Sequence, residues 1–506
     1  MRRSHLSAVG MPLLGLVLAA SGPAAAQQQP DYSKLTPAVH GRIPRVVPAF
    51  PFSAIPRETR PMFDQFLWQN FIAIMWPSRP QDLGEPYRPD DPEVWRRGYV
   101  DGLQPAFLGW KTAADLYPGN GDAPPAWDEA SRYNPCRDRQ VAAAPSAGPM
   151  ILARTSKFGT IADEVDQAFA GPLIDQTGLL TRYEVRVNRA EYDYIRGKGY
   201  YNRSAWPSKP QDPPISFPQS TPDRLGAVEV KAAWRDLSRV DPKFHTRFFT
   251  ARALAVEANS CKTTNPLSGC ACKEVTVGLV GFHVAHKTEQ FPQWVWGTFE
   301  QVDNLGEDPS MPAGMTPSYY DGTRANPPQH PGYSYEPGNA EVAASLSRSD
   351  SANGAGAGLK PVNVARLSAI PSTPATLPTT TMNANYRSSA LKGTVWANYW
   401  LIGTQWSTLP SWPAPSPFAA TYPGAPPADF GCEDGTPAAV GGLAFPACQV
   451  ANITMETYHQ YDSCQNCHQG AQRFGADFSW SLFQRAYDPT AKKATADQPV
   501  IRRRPD

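Results

Sequence analysis

The feature that most constrains this chain is the run Cys464-Gln465-Asn466-Cys467-His468, which stands close to the end of a 506-residue sequence. C-x-x-C-H is the attachment pattern of a c-type haem. Two thiols three positions apart at the start of a helical turn each add to one vinyl group of the porphyrin, and the next residue turns its imidazole onto the iron. The second imidazole nitrogen then seeks a backbone carbonyl, which fixes the tautomer. The pattern occurs once, so the expectation is one covalent haem c on Cys464 and Cys467, with His468 as the proximal iron ligand. A redox-active dithiol is the competing reading, but the run lacks the βαβ context of a thioredoxin-like chain.

The position of the motif carries a second constraint. No methionine or histidine follows His468, so any protein-derived sixth ligand has to come from upstream. The candidates are His40, His245, His283, His286, His330 and His459, with Met311, Met315, Met382 and Met455 as thioether options. His283 ranks first and His286 second, because both close the most apolar stretch of the chain, Val275 to Val284, where a buried histidine needs a hydrogen bond or a metal. Strand alternation would set His283 on one face with Val277, Leu279 and Gly281, glycine leaving room for a flat ring. Each histidine taken alone also has an ordinary reading as a satisfied core residue.

The N-terminus reads as a secretory signal: Met1-Arg2-Arg3, then the apolar stretch from Met11 to Leu18, then Ala24-Ala25-Ala26 before Gln27. Cleavage is expected after Ala26. Arg2-Arg3 raises a twin-arginine route, but the rest of that motif is poor, and the general secretory route is preferred. The expected location is periplasmic or secreted, with no membrane span in the mature protein, since no later apolar run reaches the ~20 residues a span needs. Six cysteines remain beside the haem motif, and an oxidising compartment invites them to pair. Cys432 with Cys448 is the first expected bridge; Cys261 then closes on Cys270 or Cys272, leaving the other for Cys136.

Lys and Arg number 47 against 46 Asp and Glu, so the chain has no global field to draw in nucleic acid, and only Arg502-Arg503-Arg504 departs from that balance. With 54 prolines and 38 glycines, turns and irregular loops should be frequent and long helical arrays absent. Spacings of three and four place Phe63, Phe66, Leu67, Phe71 and Ile74 on one stripe of an amphipathic helix ended by Trp76-Pro77. Residues 227–233, 248–255 and 275–284 read as strands, the last central to a sheet, with 294–299 returning as a hairpin. Asp477 is placed to cap a helix carrying Phe478, Leu482, Phe483 and Ala486, and Gly470-Ala471 would keep the chain small beside the cofactor. The fold class is therefore α+β: a β-rich N-terminal region with short helices, long Pro/Gly-rich loops and a C-terminal helical haem-binding segment. The division runs as signal peptide 1–26, mixed β-rich domain 27–304, Pro/Gly/Ser-rich linker or long loops 305–389, and haem c-binding region 390–506 packed on the preceding domain.

The phrases FLWQNFIAIMWP (66–77), GAVEVKAAW (226–234), VGFHVAHKT (280–288), WVWGTFEQVDN (294–304), NYWLIGTQW (398–406) and METYHQYDSCQNCH (455–468) resemble a family of exported bacterial monohaem cytochrome c family proteins. They are scattered over most of the mature chain. The resemblance implies one long architecture carrying a single haem and brings no substrate or catalytic assignment. The function expected is a periplasmic c-type cytochrome that transfers electrons to and from a redox partner protein. The alternative is a haem c-dependent peroxidase or oxygenase with an open distal iron position, acting on a small-molecule oxidant or substrate. In that case His283 or His286 serves as distal acid/base, with Lys287, Arg235 or Glu229 polarising the pocket.

Overall fold

The computed structural model describes residues 37–48, 56–137, 150–152, 166–167, 171–209, 211–257, 260–264, 267–322, 361–366, 369–372, 377–406, 438–440, 443–445, 450–457, 460 and 464–490. The signal segment, Cys432, Cys448, His330, His459 and the arginine-rich end lie outside the described residues.

The architecture is mixed α+β, with one eight-stranded sheet and short helices around it. In chain order the strands are β1 (Lys111–Thr112), β2 (Met150–Leu152), β3 (Arg182–Val187), β4 (Val228–Asp236), β5 (Thr250–Glu257), β6 (Ala271–His286), β7 (Val295–Gln301) and β8 (Tyr399–Gln405). Their order across the sheet is β8-β7-β6-β4-β3-β1, all antiparallel, and β2 adds a parallel pairing to β5. The 16-residue β6 is the spine. One edge pairs with β4, while β5 and β7 succeed one another along the other edge. From Val277 to His286 both faces of the strand are buried apart from the half-buried His283, which is why this part of β6 runs apolar instead of alternating.

A bulge at Val280 governs which face each side chain of β6 takes. Leu279 pairs with Trp234 and Gly281 with Ala233, so Val280 has no partner of its own on β4. One extra residue reverses the alternation beyond it. Val277 and Leu279 therefore share a face with Phe282 and Val284 in the main core, whereas Gly281, His283 and Ala285 turn to the opposite face. The core membership of the first four agrees with this. The expected grouping of His283 with Val277 and Leu279 is overturned by this bulge.

Helix α1 (Pro56–Ile74) lies on the first face, with Phe71 edge-on to Phe282 and Phe66 stacked on His286. It is not a surface amphipathic helix. Its polar side also is buried: Asp64 is fully enclosed and accepts hydrogen bonds from the Thr379 and Thr404 hydroxyls, both at 2.6 Å. These hydrogen bonds and the charge of Arg60 offset part of the desolvation cost of burying the Asp64 carboxylate.

The second face is covered by residues 450–457, where Ile453 and Met455 enter a smaller cluster with Val280, Tyr319, Val362 and Val364. The approach is close enough that a Cβ on Gly281 would stand 2.0 Å from Thr454 Oγ1. Glycine is required there by contact, not by conformation. Met315, Tyr319, Val362, Val364 and the edge strand β8 thus belong to the same packed body as the N-terminal strands. Two disulfides, Cys136–Cys272 and Cys261–Cys270, staple the start of β6, selecting one of the two pairings that the sequence left open. Among the described residues, no helix is long and apolar enough to cross a membrane.

Candidate functional site around His468

Helix α4 (Cys464–Arg473) carries the motif, so the two cysteines stand one turn apart at its start. Both are half-buried thiols. The helix is seated by its neighbours. Gln465 N–H donates to Gln405 Oε1 at the end of β8 (3.3 Å), Ala471 is fully buried, and the Trp480 indole donates to the Cys467 carbonyl (3.1 Å). Gly470 is small for the sake of Trp480, whose ring would be 2.6 Å from an added Cβ, so the room it leaves is already used by protein.

The His468 imidazole is oriented as a metal-binding histidine would be. Its Nδ1 lies 2.7 Å from the Phe478 carbonyl, which can only accept, so the proton is on Nδ1 and the lone pair on Nε2. Nε2 has no hydrogen-bond partner among the described residues. Burial pushes the imidazole down to about 4, against a smaller upward pull from the Phe478 hydrogen bond. The ring is therefore neutral at physiological pH, as a ligand must be.

The carbonyl that holds His468 is itself held in a left-handed turn. Asp477 (φ 47°) and Phe478 (φ 67°) are in that region, as is Trp294 (φ 69°), which donates its indole N–H to the Asp477 carbonyl at 3.2 Å. Non-glycine residues accept such backbone only where surroundings over-determine it. Here the surroundings are a buried ion pair between Asp477 and Lys287 and a hydrogen bond from Phe217 N–H to Asp477 Oδ2 at 2.6 Å. Asp477 is not the cap of the following helix α5 (Trp480–Arg485). Ser479 is, with its hydroxyl accepting from Leu482 N–H, and the carboxylate expected to cap is committed to Lys287.

A small recess opens beside His468, lined by Glu229, Ala285, Trp294, Trp296, Phe478 and Ser479. Trp296 lies against the imidazole with ring centroids 4.2 Å apart. Glu229 accepts hydrogen bonds from Ser479 Oγ (2.9 Å) and Ser481 Oγ (3.1 Å). Beside it is Glu191, fully buried on α2 (Arg189–Lys198). Burial raises both carboxyl groups, and the negative charge of Glu229 raises Glu191 further, so the pair retains a proton that an exposed pair would lose.

His283 and Ala285 face this site from β6, and Trp296 and Thr298 face it from β7. His283 Nε2 is 2.9 Å from Glu456, and His283, Glu456 and Lys231 are the charged neighbours whose field His468 feels. Burial raises the Glu456 carboxyl, but the charge and hydrogen bond of His283, with Lys231 beyond, bring it below its ordinary value. His286 is on the other face and fully buried. Its Nδ1 meets Asn70 Oδ1 at 2.9 Å and its Nε2 meets the Ser220 hydroxyl at 2.7 Å. Both nitrogens are engaged, the arrangement of a satisfied core histidine. Arg235 is spent on Asp175 and Ser318, away from His468, and Lys287 on Asp477. Of the three charges expected to polarise the site, only Glu229 lines the recess.

No family model, curated protein or solved structure matches this chain. Sequence reasoning missed Trp296, Glu456 and the Glu191–Glu229 pair. Trp296 was visible as one of two tryptophans in WVWGTFEQ, where alternation pairs it with Thr298 on one face. Glu456 and Glu191 come close only through the fold.

His286 provides a test of the buried network. Burial lowers its pKa from 6.5 to about 3, so the unfolded chain takes up a proton that the folded chain refuses. The stability due to its neutral form is complete above pH 6.5 and is lost as pH falls toward 3, on the order of 4 kcal/mol in all. Denaturant midpoints measured across that window should fall more steeply for the wild type than for His286→Asn; equal slopes would contradict the assignment.

Proposed function

We propose that this chain is an exported c-type cytochrome-like protein of the monohaem cytochrome c family, in which Cys464 and Cys467 hold one covalent haem and His468 ligates its iron. The observation that carries this reading is the tautomer of His468: Nδ1–H is tied to the Phe478 carbonyl, and Nε2 carries the lone pair with no hydrogen-bond partner among the described residues. Orienting a ligating histidine through its other nitrogen is the usual support of a metal site. The donor set suits the group, with two thiols one turn apart and a neutral imidazole directly after them. When bound, the haem would supply reversible one-electron chemistry, while the Phe478 carbonyl and the Trp296 ring would hold the His468 imidazole in place. The described parts of 27–304, 305–389 and 390–506 would form one enclosure for it. Two disulfides among the described residues support an oxidising compartment outside the cytoplasm.

Electron transfer to a redox partner is the first reading. An open iron position acting on peroxide is the second, and the engagement of the histidines favours it. His283 Nε2 is bound to Glu456, and His286 uses both nitrogens. Met315, Met382 and Met455 are packed in apolar clusters. Absorption spectra of the purified protein, oxidised, reduced and reduced with carbon monoxide, decide between them. A low-spin haem that resists carbon monoxide supports electron transfer with a protein sixth ligand, and His283→Ala should then convert it to a high-spin, carbon monoxide-binding form. A haem that is high-spin and binds carbon monoxide at once supports the open site. Absence of any haem spectrum from protein matured with the haem-attachment machinery overturns both.

A further inference from the structure

Glu191 is fully buried on α2, and among the described residues no N–H or O–H of a neighbour reaches either of its carboxyl oxygens. What faces it is the carboxyl of Glu229 on β4, close enough for one acid to donate to the other when a proton is present. Glu229 itself is well supplied. Its Oε2 accepts from the Ser479 hydroxyl (2.9 Å) and its Oε1 from that of Ser481 (3.1 Å), both at the start of α5. A glutamine at 191 would donate to Glu229 at every pH. A carboxylic acid donates only while it keeps its proton, and without it two anions face each other in a poorly solvated place.

The surrounding charges do not make up the difference. Asp477, Lys287 and Arg485 act on the pair, so three carboxyls meet two cations and the cluster is one positive charge short. The Lys287 ammonium is moreover committed to Asp477. Tyr117, which follows the short helix Ala113–Leu116, is buried, and its hydroxyl has no partner among the described residues. Burial, and then the charges of Glu191 and Glu229, hold the proton on that phenol. It offers a neutral donor to the cluster and no positive charge.

We propose that Glu191 and Glu229 form a one-proton latch: the shared proton holds the 477–481 turn on β4, and its loss on the alkaline side releases that turn and with it the Phe478 carbonyl that orients His468. Ser479 caps α5 and directly follows Phe478, so Glu229 anchors the same turn that Lys287 holds through Asp477. With the proton in place, Glu229 takes donors from α2 and from α5 at once and ties both helices to β4. Without it, repulsion is relieved by moving α2 or the turn away from the strand. Glu229 is half-buried, so the proton reaches solvent on its side, and no covalent bond changes. The latch acts through the protein alone and stands whether or not a group is held at His468.

Burial, and then the charge of Glu229, raise the Glu191 carboxyl in the closed form above its ordinary value of 4.5, toward which an opened turn returns it. The closed form is therefore fully favoured below that pH and loses ground as pH rises. The closed-to-open ratio falls by up to about tenfold for each pH unit, until the closed pair gives up its own proton.

The test follows backbone hydrogen exchange by peptide mass spectrometry in the full chain, comparing wild type with Glu191→Gln at each pH from about 5 to about 9. The intrinsic pH dependence of exchange cancels in that ratio. In peptides covering 477–486 the wild type should exchange progressively faster than the variant, by about tenfold or more at the alkaline end, while peptides from β6 and β7 keep a constant ratio. Glu229→Gln also removes the clash of charges and should abolish the same pH-dependent growth; it takes the place of Glu191→Gln if that variant does not fold. A ratio that stays flat across the range in 477–486 overturns the latch. A ratio that grows equally in every peptide overturns it too, since the proton would then serve the stability of the whole body and not the hold on one turn. Neither result touches the haem reading, which the haem-stained gel and the absorption spectra decide.

Discussion

Replacing Cys464 and Cys467 together by alanine is expected to abolish covalent haem while leaving the folded body in place. Several contacts that seat α4 do not depend on sulfur. Gln465 reaches Gln405 and the Gln293 carbonyl, Trp480 reaches the Cys467 carbonyl, and Ala471 is packed in the core. An alanine at each position preserves the helix, for which alanine has the best propensity. The wild type should therefore show a band on a denaturing gel stained for haem, and the double variant should show the same protein band with no haem signal. Each single variant should retain one thioether and a reduced yield. Extraction of all haem from the wild type by acidified acetone would falsify covalent attachment, whatever the spectrum of the native protein.

The parts of this fold that follow from local periodicity were legible. The strands at 228–236, 250–257 and 271–286, the hairpin return at 295–301 and the helix ending at Ile74 were each expected close to where they stand. Their signals are carried by neighbouring residues: an apolar run on both faces, spacings of three and four, a proline stop. What was not legible depends on single insertions or on distant partners. The bulge at Val280 has no strong sequence mark, because valine is an ordinary strand residue, yet it moves His283 from the face of Leu279 to that of Ala285. His283 consequently faces the His468 site for a reason other than the one alternation offered.

The amphipathic reading of α1 failed for a related reason. Periodicity detects which side is apolar; it cannot detect that Asp64, on the other side, will find Thr379 and Thr404 from segments more than three hundred residues away. The same holds at the site. Cys464, Cys467 and His468 announce themselves by spacing, whereas the carbonyl of Phe478 that fixes the His468 tautomer is a backbone atom, invisible to any motif. Glu191 and Glu229 likewise look like two ordinary charges until helix α2 and strand β4 bring them together beneath Ser479 and Ser481.

Lys287→Met is expected to destabilise the protein by about 3–5 kcal/mol and to disturb His468, because it leaves Asp477 as a buried charge without its counter-ion. The two side chains are each 2% exposed, so solvent cannot replace the lost ammonium. Asp477 would retain one hydrogen bond, from Phe217 N–H. Burial already raises its carboxyl, with Lys287 opposing, and removal of Lys287 must raise it further. A folded-state pKa above the unfolded value means that the folded variant binds the extra proton, so its deficit relative to wild type should shrink as pH falls and protonation removes the charge. The double variant Lys287→Met/Asp477→Leu, which removes both charges, should regain most of the loss. Urea unfolding of the three proteins across the acid range measures all of this. The site offers a second readout, since Asp477 anchors the left-handed turn whose next carbonyl orients His468. A haem spectrum altered in Lys287→Met and restored in the double variant assigns Lys287 to holding that turn; a spectrum altered equally in both would instead require a direct electrostatic action of the lysine on the site.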